Sequence, residues 1–123
     1  MLIVAAVLLF GIGLAHSVLG ERYILIRLFK RDNLPRLLGG DSFTKGTLRF
    51  AWHLTTLAWW GFAVLLVEVS SRAPNLPGLV LWVAACVFFL SGVLSAGFTR
   101  GKHLSWVVFF AVAILCAARG LLG

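Results

Sequence analysis

The sequence predicts an all-α fold, a four-helix transmembrane bundle that runs up and down and has both termini on the non-cytoplasmic side. Three observations predict it: an apolar composition, four long apolar stretches, and basic residues gathered on one side. Of the 123 residues, 61% are hydrophobic and 12% are charged, whereas ordinary globular chains are about half apolar and about a quarter charged. A soluble domain of this length buries only part of its surface, so lipid is the solvent that suits the chain. We expect one integral membrane domain over residues 1–123.

Four apolar stretches are the expected membrane spans. Their boundaries are about residues 2–19, 48–69, 76–98 and 103–118, and the last is the shortest. A helix needs about 20 apolar residues to cross roughly 30 Å of hydrocarbon, and unpaired backbone groups are not tolerated in lipid. The first stretch is interpreted as a retained helix, since a signal peptide has basic residues before its apolar run. We therefore expect four spanning helices.

The connections between the spans differ in length and character. Two short links, at about residues 70–75 and 99–102, make their neighbouring helices adjacent and antiparallel. The long first link begins with a segment at about residues 22–31, in which basic residues follow one helical face and apolar residues the other. This pattern predicts an amphipathic helix that lies in the membrane interface or extends the first span.

The basic residues are gathered on one side of the expected membrane. Nine of the 11 Lys and Arg residues lie in the long link or the last link, and two lie on the opposite side. This asymmetry is typical of cytoplasmic loops, so we expect both links to face the cytoplasm of a bacterial-type cell and the chain to lie in the inner (plasma) membrane. Anionic lipid headgroups are the expected partners of these loops. Nucleic acid is not, because no binding module is present. The nine residues are Arg22, Arg27, Lys30, Arg31, Arg36, Lys45, Arg49, Arg100 and Lys102.

The three histidines are expected near one end of the bundle. His16 lies near the end of the first span, His53 about one turn inside the second, and His103 at the start of the fourth. Glu21 belongs to the same layer. Neutral imidazole is the commonest protein metal ligand, and three imidazoles with a carboxylate complete a coordination shell. We therefore predict a metal site formed by His16, His53, His103 and Glu21 near the cytoplasmic face.

The identity of the bound group is not determined by these ligands. Zinc, iron and copper all accept imidazole and carboxylate. A pair such as His16 and His53 is alternatively suited to axial ligation of haem. The same residues also have structural interpretations. His16 shares a face with Gly13 and Gly20, and such small residues are typical of a packing seam, the surface along which two membrane helices meet closely. His16 would then form a hydrogen bond to the neighbouring helix across this packing seam.

Three functions stay open at this point. The first is a small membrane protein with a histidine-lined pocket that binds a metal ion or haem. The second is a non-catalytic accessory or assembly subunit, in a homo-oligomer or with a partner membrane subunit, whose histidines hydrogen-bond between helices. The third is a membrane enzyme that uses a histidine as general base on a lipid-like substrate. Transport is less favoured, because no span has a carboxylate at its centre and no broken helix marks a midplane site.

Overall fold

The computed structural model of the chain describes residues 1–72 and 74–122. Of these residues 81% are helical, and no strand occurs among them. Four of the helices are long and apolar enough to cross a membrane. They are α1 (Leu2–Leu28), α2 (Ser42–Ser70), α3 (Leu76–Thr99) and α4 (Ser105–Leu122). The predicted all-α class is therefore confirmed, as is the presence of four helices that could span a membrane.

The helix boundaries differ from the apolar stretches at three points. α1 continues through a π-helical turn at Gly20–Leu25 and ends at Leu28, so the basic segment after residue 22 extends the first helix. α2 begins at Ser42, six residues before the apolar stretch. Hydropathy does not reveal this start, because the first turns of the helix are mostly polar. His103 does not open the last helix, which begins at Ser105.

In the part of the chain that the structure describes, the backbone of each helix packs against the helices that precede and follow it in sequence. α1 contacts α2, α2 contacts α3, and α3 contacts α4. Over residues 1–72 and 74–122, no backbone contact joins α1 to α3 or α4, or α2 to α4. The helices therefore form an open series in which the backbone of α1 approaches that of α2 but not those of α3 and α4.

Small residues allow these neighbouring helices to approach closely. A Cβ atom at Gly13 of α1 would lie 2.5 Å from Nε1 of Trp60 in α2. At Gly92 of α3 it would lie 2.7 Å from the ring of Phe110 in α4. Membrane helices pack in this way because lipid gives them no hydrophobic driving force to associate. The other close approaches between helices are Gly20 to Trp52, Gly46 to Phe98, Gly61 to Val87 and, less tightly, Gly120 to Trp82.

The apolar surface of the structure faces outward. The buried apolar residues are few and mostly small: Ala6, Leu25, Phe50, Ala63, Ala85 and Ala113. Large apolar side chains such as Leu8, Phe62 and Ile114 are more than 60% exposed. Exposure on this scale is unfavourable in water and ordinary in lipid, which supports an integral membrane protein.

Candidate functional site

A chain of hydrogen bonds crosses the interface between α1 and α2. We call its members, Arg49, Glu21, His53, Ser17 and Thr56, the polar chain. Arg49 donates to Glu21 twice, from Nη2 to Oε1 at 2.6 Å and from Nε to Oε2 at 3.2 Å. Nε2 of His53 lies 3.2 Å from the same Oε2. On the other edge of the imidazole, Ser17 Oγ lies 2.9 Å from Nδ1 and 2.7 Å from Oγ1 of Thr56.

Helical spacing places these side chains on two facing stripes. On α1, Gly13, Ser17 and Glu21 recur every four residues and so share one face. On α2, Arg49 and His53 are four residues apart, and Thr56 follows three residues later. Glu21 lies within the π-helical turn of α1, a distortion that is frequent at functional sites. The polar chain therefore results from local periodicity combined with the packing of two helices.

The hydrogen-bond partners determine the proton positions on His53. The Glu21 carboxylate accepts a hydrogen bond, so the proton of a neutral ring is assigned to Nε2. Nδ1 then accepts a hydrogen bond from the Ser17 hydroxyl. The Thr56 hydroxyl has two acceptors within reach, Oγ of Ser17 at 2.7 Å and the Gly13 carbonyl oxygen at 3.3 Å. This order of hydroxyl, imidazole and carboxylate is the one found where an imidazole activates a nucleophile. All three side chains are only partly exposed.

His16 is engaged by Trp52 of α2. The two rings stack with centroids 4.5 Å apart and an angle of 2° between their planes. Nε2 of His16 donates to the Trp52 carbonyl oxygen at 3.2 Å, and Nε1 of Trp52 donates to the His16 carbonyl oxygen at 2.9 Å. Gly20 makes room for the indole, because any side chain there would overlap it. His16 therefore joins α1 to α2, as the packing-seam interpretation predicts.

His103 lies in the turn before α4 and faces different neighbours. Its Nδ1 lies 2.8 Å from Oγ of Ser105. Its ring stacks on Phe43, with centroids 5.9 Å apart, and meets the edge of Phe50 at 5.1 Å. Ser105 in turn lies 2.7 Å from Oγ of Ser95. His103 thus connects the start of α4 to α2 and, through the serines, to α3.

The four predicted metal ligands lie in three separate settings. Glu21 and His53 contact each other, whereas His16 is paired with Trp52 and His103 with Ser105. Within the part of the chain that the structure describes, no group of three or more His, Cys, Asp or Glu residues is placed to hold a metal ion. A site built from all four residues stays a prediction, and in this geometry it would require the rings of His16 and His103 to move.

Sequence reasoning missed three members of the polar chain: Ser17, Arg49 and Thr56. The four-residue spacing of Gly13, Ser17 and Glu21 was a signal that could have found the first of them. The spacing of Arg49 and His53 was a second signal. Neither spacing reveals that the two stripes face each other, since that depends on which sides of α1 and α2 pack.

Comparison with protein-family models, with curated proteins and with solved structures gives no match for this chain. Four candidate membrane-spanning helices support an integral membrane protein. The contacts of the polar chain and of the other two histidines are the basis for any finer assignment.

Proposed function

We propose that this chain is a non-catalytic integral membrane protein, an accessory or assembly subunit whose histidines fasten its helices to one another. The supporting observation is that every histidine ring has a partner on another helix. His16 bonds and stacks across the α1–α2 interface, His53 bonds across it, and His103 stacks on α2. This is the second of the three functions that the sequence leaves open.

The open arrangement of the helices makes these contacts important. Among the described residues, the backbone of α1 lies close to that of α2 and to that of no other of the four helices, and lipid solvates separated apolar helices as well as packed ones. Hydrogen bonds between membrane helices contribute about 0.6 to 2 kcal/mol each. The polar chain and the His16–Trp52 pair therefore contribute much of the free energy that holds α1 in place.

The proposal includes an orientation and a location. The two basic links face the cytoplasm, both termini lie on the opposite side, and the helices alternate in direction in a bacterial inner membrane. The charge asymmetry supports this orientation, because Lys and Arg are retained on the cytoplasmic side during insertion. A second copy or another membrane subunit would associate through the outward apolar faces of the helices.

Metal content and histidine substitutions test the fastening role. Gently purified protein is expected to contain far less than one transition metal ion per chain and no Soret absorbance. His16→Ala and His53→Ala should each lower the free energy of unfolding in detergent by about 1 to 2 kcal/mol, the value of lost interhelical hydrogen bonds. One metal ion per chain, lost in each of the three His→Ala variants, would instead establish the metal pocket.

A second candidate function is favoured by the order of Ser17, His53 and Glu21. In acyl transfer from a lipid-like ester, Ser17 Oγ would attack the carbonyl carbon and pass its proton to Nδ1 of His53. The departing alcohol would take that proton, and water would later release the acyl group. Glu21 would hold the imidazole in position through Nε2–H throughout. This is a membrane enzyme with a histidine as general base.

A fluorophosphonate probe, which labels activated serines, separates the two functions. The accessory subunit is expected to remain unlabelled in detergent and in vesicles. Labelling that Ser17→Ala and His53→Ala both abolish would overturn the accessory proposal in favour of the enzyme. Ser91→Ala is the matched control, because Ser91 is a buried serine of α3 that donates to the Val87 carbonyl and lies outside the polar chain.

A further inference from the structure

A basic cleft of about 220 Å³ opens between the first turns of α2 and the end of α3. Four of the side chains that line it are cationic: Lys45, Arg49, Arg100 and Lys102. None of its described lining residues is acidic. The cleft is smaller than the roughly 300 to 1,000 Å³ of pockets that enclose drug-sized ligands, so it suits a small polar group.

Two of the four cations are neutralised by carboxylates next to the cleft. Lys45 Nζ lies 2.6 Å from Oδ2 of Asp41, and Arg49 binds Glu21. The hydrogen bond from Lys45 lowers the pKa of Asp41 below its usual value, so that carboxylate is ionised at neutral pH. Arg100 and Lys102 take part in none of the ion pairs among the described residues. Four cations less two carboxylates leave two positive charges.

The turn that carries these two charges has a defined conformation. Arg100 adopts a left-handed conformation with φ of 52° and ends α3. Gly101 follows with φ of 74°, and its N–H donates to the Ala96 carbonyl oxygen at 2.8 Å. Nε1 of Trp106 donates to the Gly101 carbonyl oxygen at 3.1 Å. The backbone that bears Arg100 and Lys102 is therefore held by hydrogen bonds to both flanking helices.

We propose that this cleft binds a phosphate group, either in the headgroup of an anionic phospholipid or as a soluble phosphate. A phosphate monoester, the form found in the headgroup of phosphatidic acid, carries about −1.5 to −2 at neutral pH, which matches the two uncompensated charges. Guanidinium groups bind phosphate oxygens through paired hydrogen bonds. Phe43 and Phe98 also line the cleft and offer apolar surface to the rest of the ligand. This site goes beyond the accessory role and does not depend on it.

Native mass spectrometry of the full chain in detergent tests the site with two probes, phosphatidic acid and inorganic phosphate. The wild-type chain is expected to retain one molecule of phosphatidic acid in preference to phosphatidylcholine. The double variant Arg100→Asn with Lys102→Gln should weaken this binding at least tenfold. Asparagine is chosen because it tolerates the left-handed conformation of position 100, and unchanged thermal unfolding verifies the fold.

The matched control is the double variant Lys30→Gln with Arg31→Gln. It removes two charges that lie outside the cleft, in the same basic link as Lys45, and should change the affinity less than twofold. Equal weakening by both double variants would show general attraction to basic loops and overturn the proposal. Binding of inorganic phosphate without a lipid preference would identify a soluble phosphate as the ligand. Binding of neither probe would also overturn the proposal.

Discussion

Gly46→Ala is expected to lower the free energy of unfolding by about 3 kcal/mol, the upper part of the range for overpacked interfaces. The added Cβ atom would overlap the carbonyl oxygen of Phe98. That oxygen belongs to the backbone of α3 and cannot rotate away as a side chain could. α2 and α3 must therefore separate, which disrupts contacts along the whole interface.

Gly97→Ala is the matched control for this substitution. Gly97 is also a helical glycine, near the same end of α3, but a Cβ atom there meets nothing within 4 Å. Alanine favours the helix over glycine by up to about 1 kcal/mol, so this variant should be as stable as the wild type or more stable. Titration with sodium dodecyl sulfate followed by circular dichroism measures both variants, and equal losses would show that Gly46 is not tightly packed.

Glu21→Ala is expected to lower the free energy of unfolding by about 2 kcal/mol, since hydrogen bonds to charged groups contribute about 1.5 to 3 kcal/mol. The substitution leaves the Arg49 guanidinium and Nε2–H of His53 without their acceptor. The Glu21 side chain is 28% exposed, so water replaces part of what is lost. The same denaturant titration measures the effect.

Asp41→Asn provides the comparison for Glu21. Asp41 also pairs with a cation, but Asp41 is the residue that directly precedes α2 and its partner Lys45 lies in the first turn of that helix. The two pairs are about equally exposed, at 28% and 34% for Lys45 and Asp41 against 31% and 28% for Arg49 and Glu21. A local pair four residues apart contributes little to stability and joins no two helices, so the loss should be much smaller than for Glu21→Ala. Equal losses would mean that Glu21 does not fasten α1 to α2. A double-mutant cycle with Arg49→Met would then isolate the coupling between Glu21 and Arg49.

The apolar stretches predicted the four helices well, because in lipid every backbone group must bond within its own segment. The helix ends were harder to predict. α2 begins at Ser42, in a polar sequence that lies outside the apolar run, so hydropathy could not locate its start. The basic segment after Gly20 was predicted as either an interfacial helix or an extension of α1, and the structure has it continuing α1 to Leu28.

For the candidate site, too, the sequence predicted one property and not another: the depth of the side chains in the membrane, but not the direction in which they point. A rise of about 1.5 Å per residue places His16, His53 and Glu21 near one depth from sequence position alone. The direction of each ring was not predictable in that way. Gly20 admits the indole of Trp52, which holds His16, and so His16 is separated from the Glu21–His53 pair that it was predicted to join.

The sequence by itself therefore determined three properties of this protein: that its composition suits lipid, that it has four long apolar helices, and that its basic residues are unevenly distributed. These properties follow from composition and from requirements that each segment meets alone. The tertiary structure decided that the helices form an open series, that the stripe of Ser17 and Glu21 faces that of Arg49 and His53, and that His103 turns to α2. Such pairings depend on which helix faces meet, and that depends on close packing at glycines whose partners are distant in the chain.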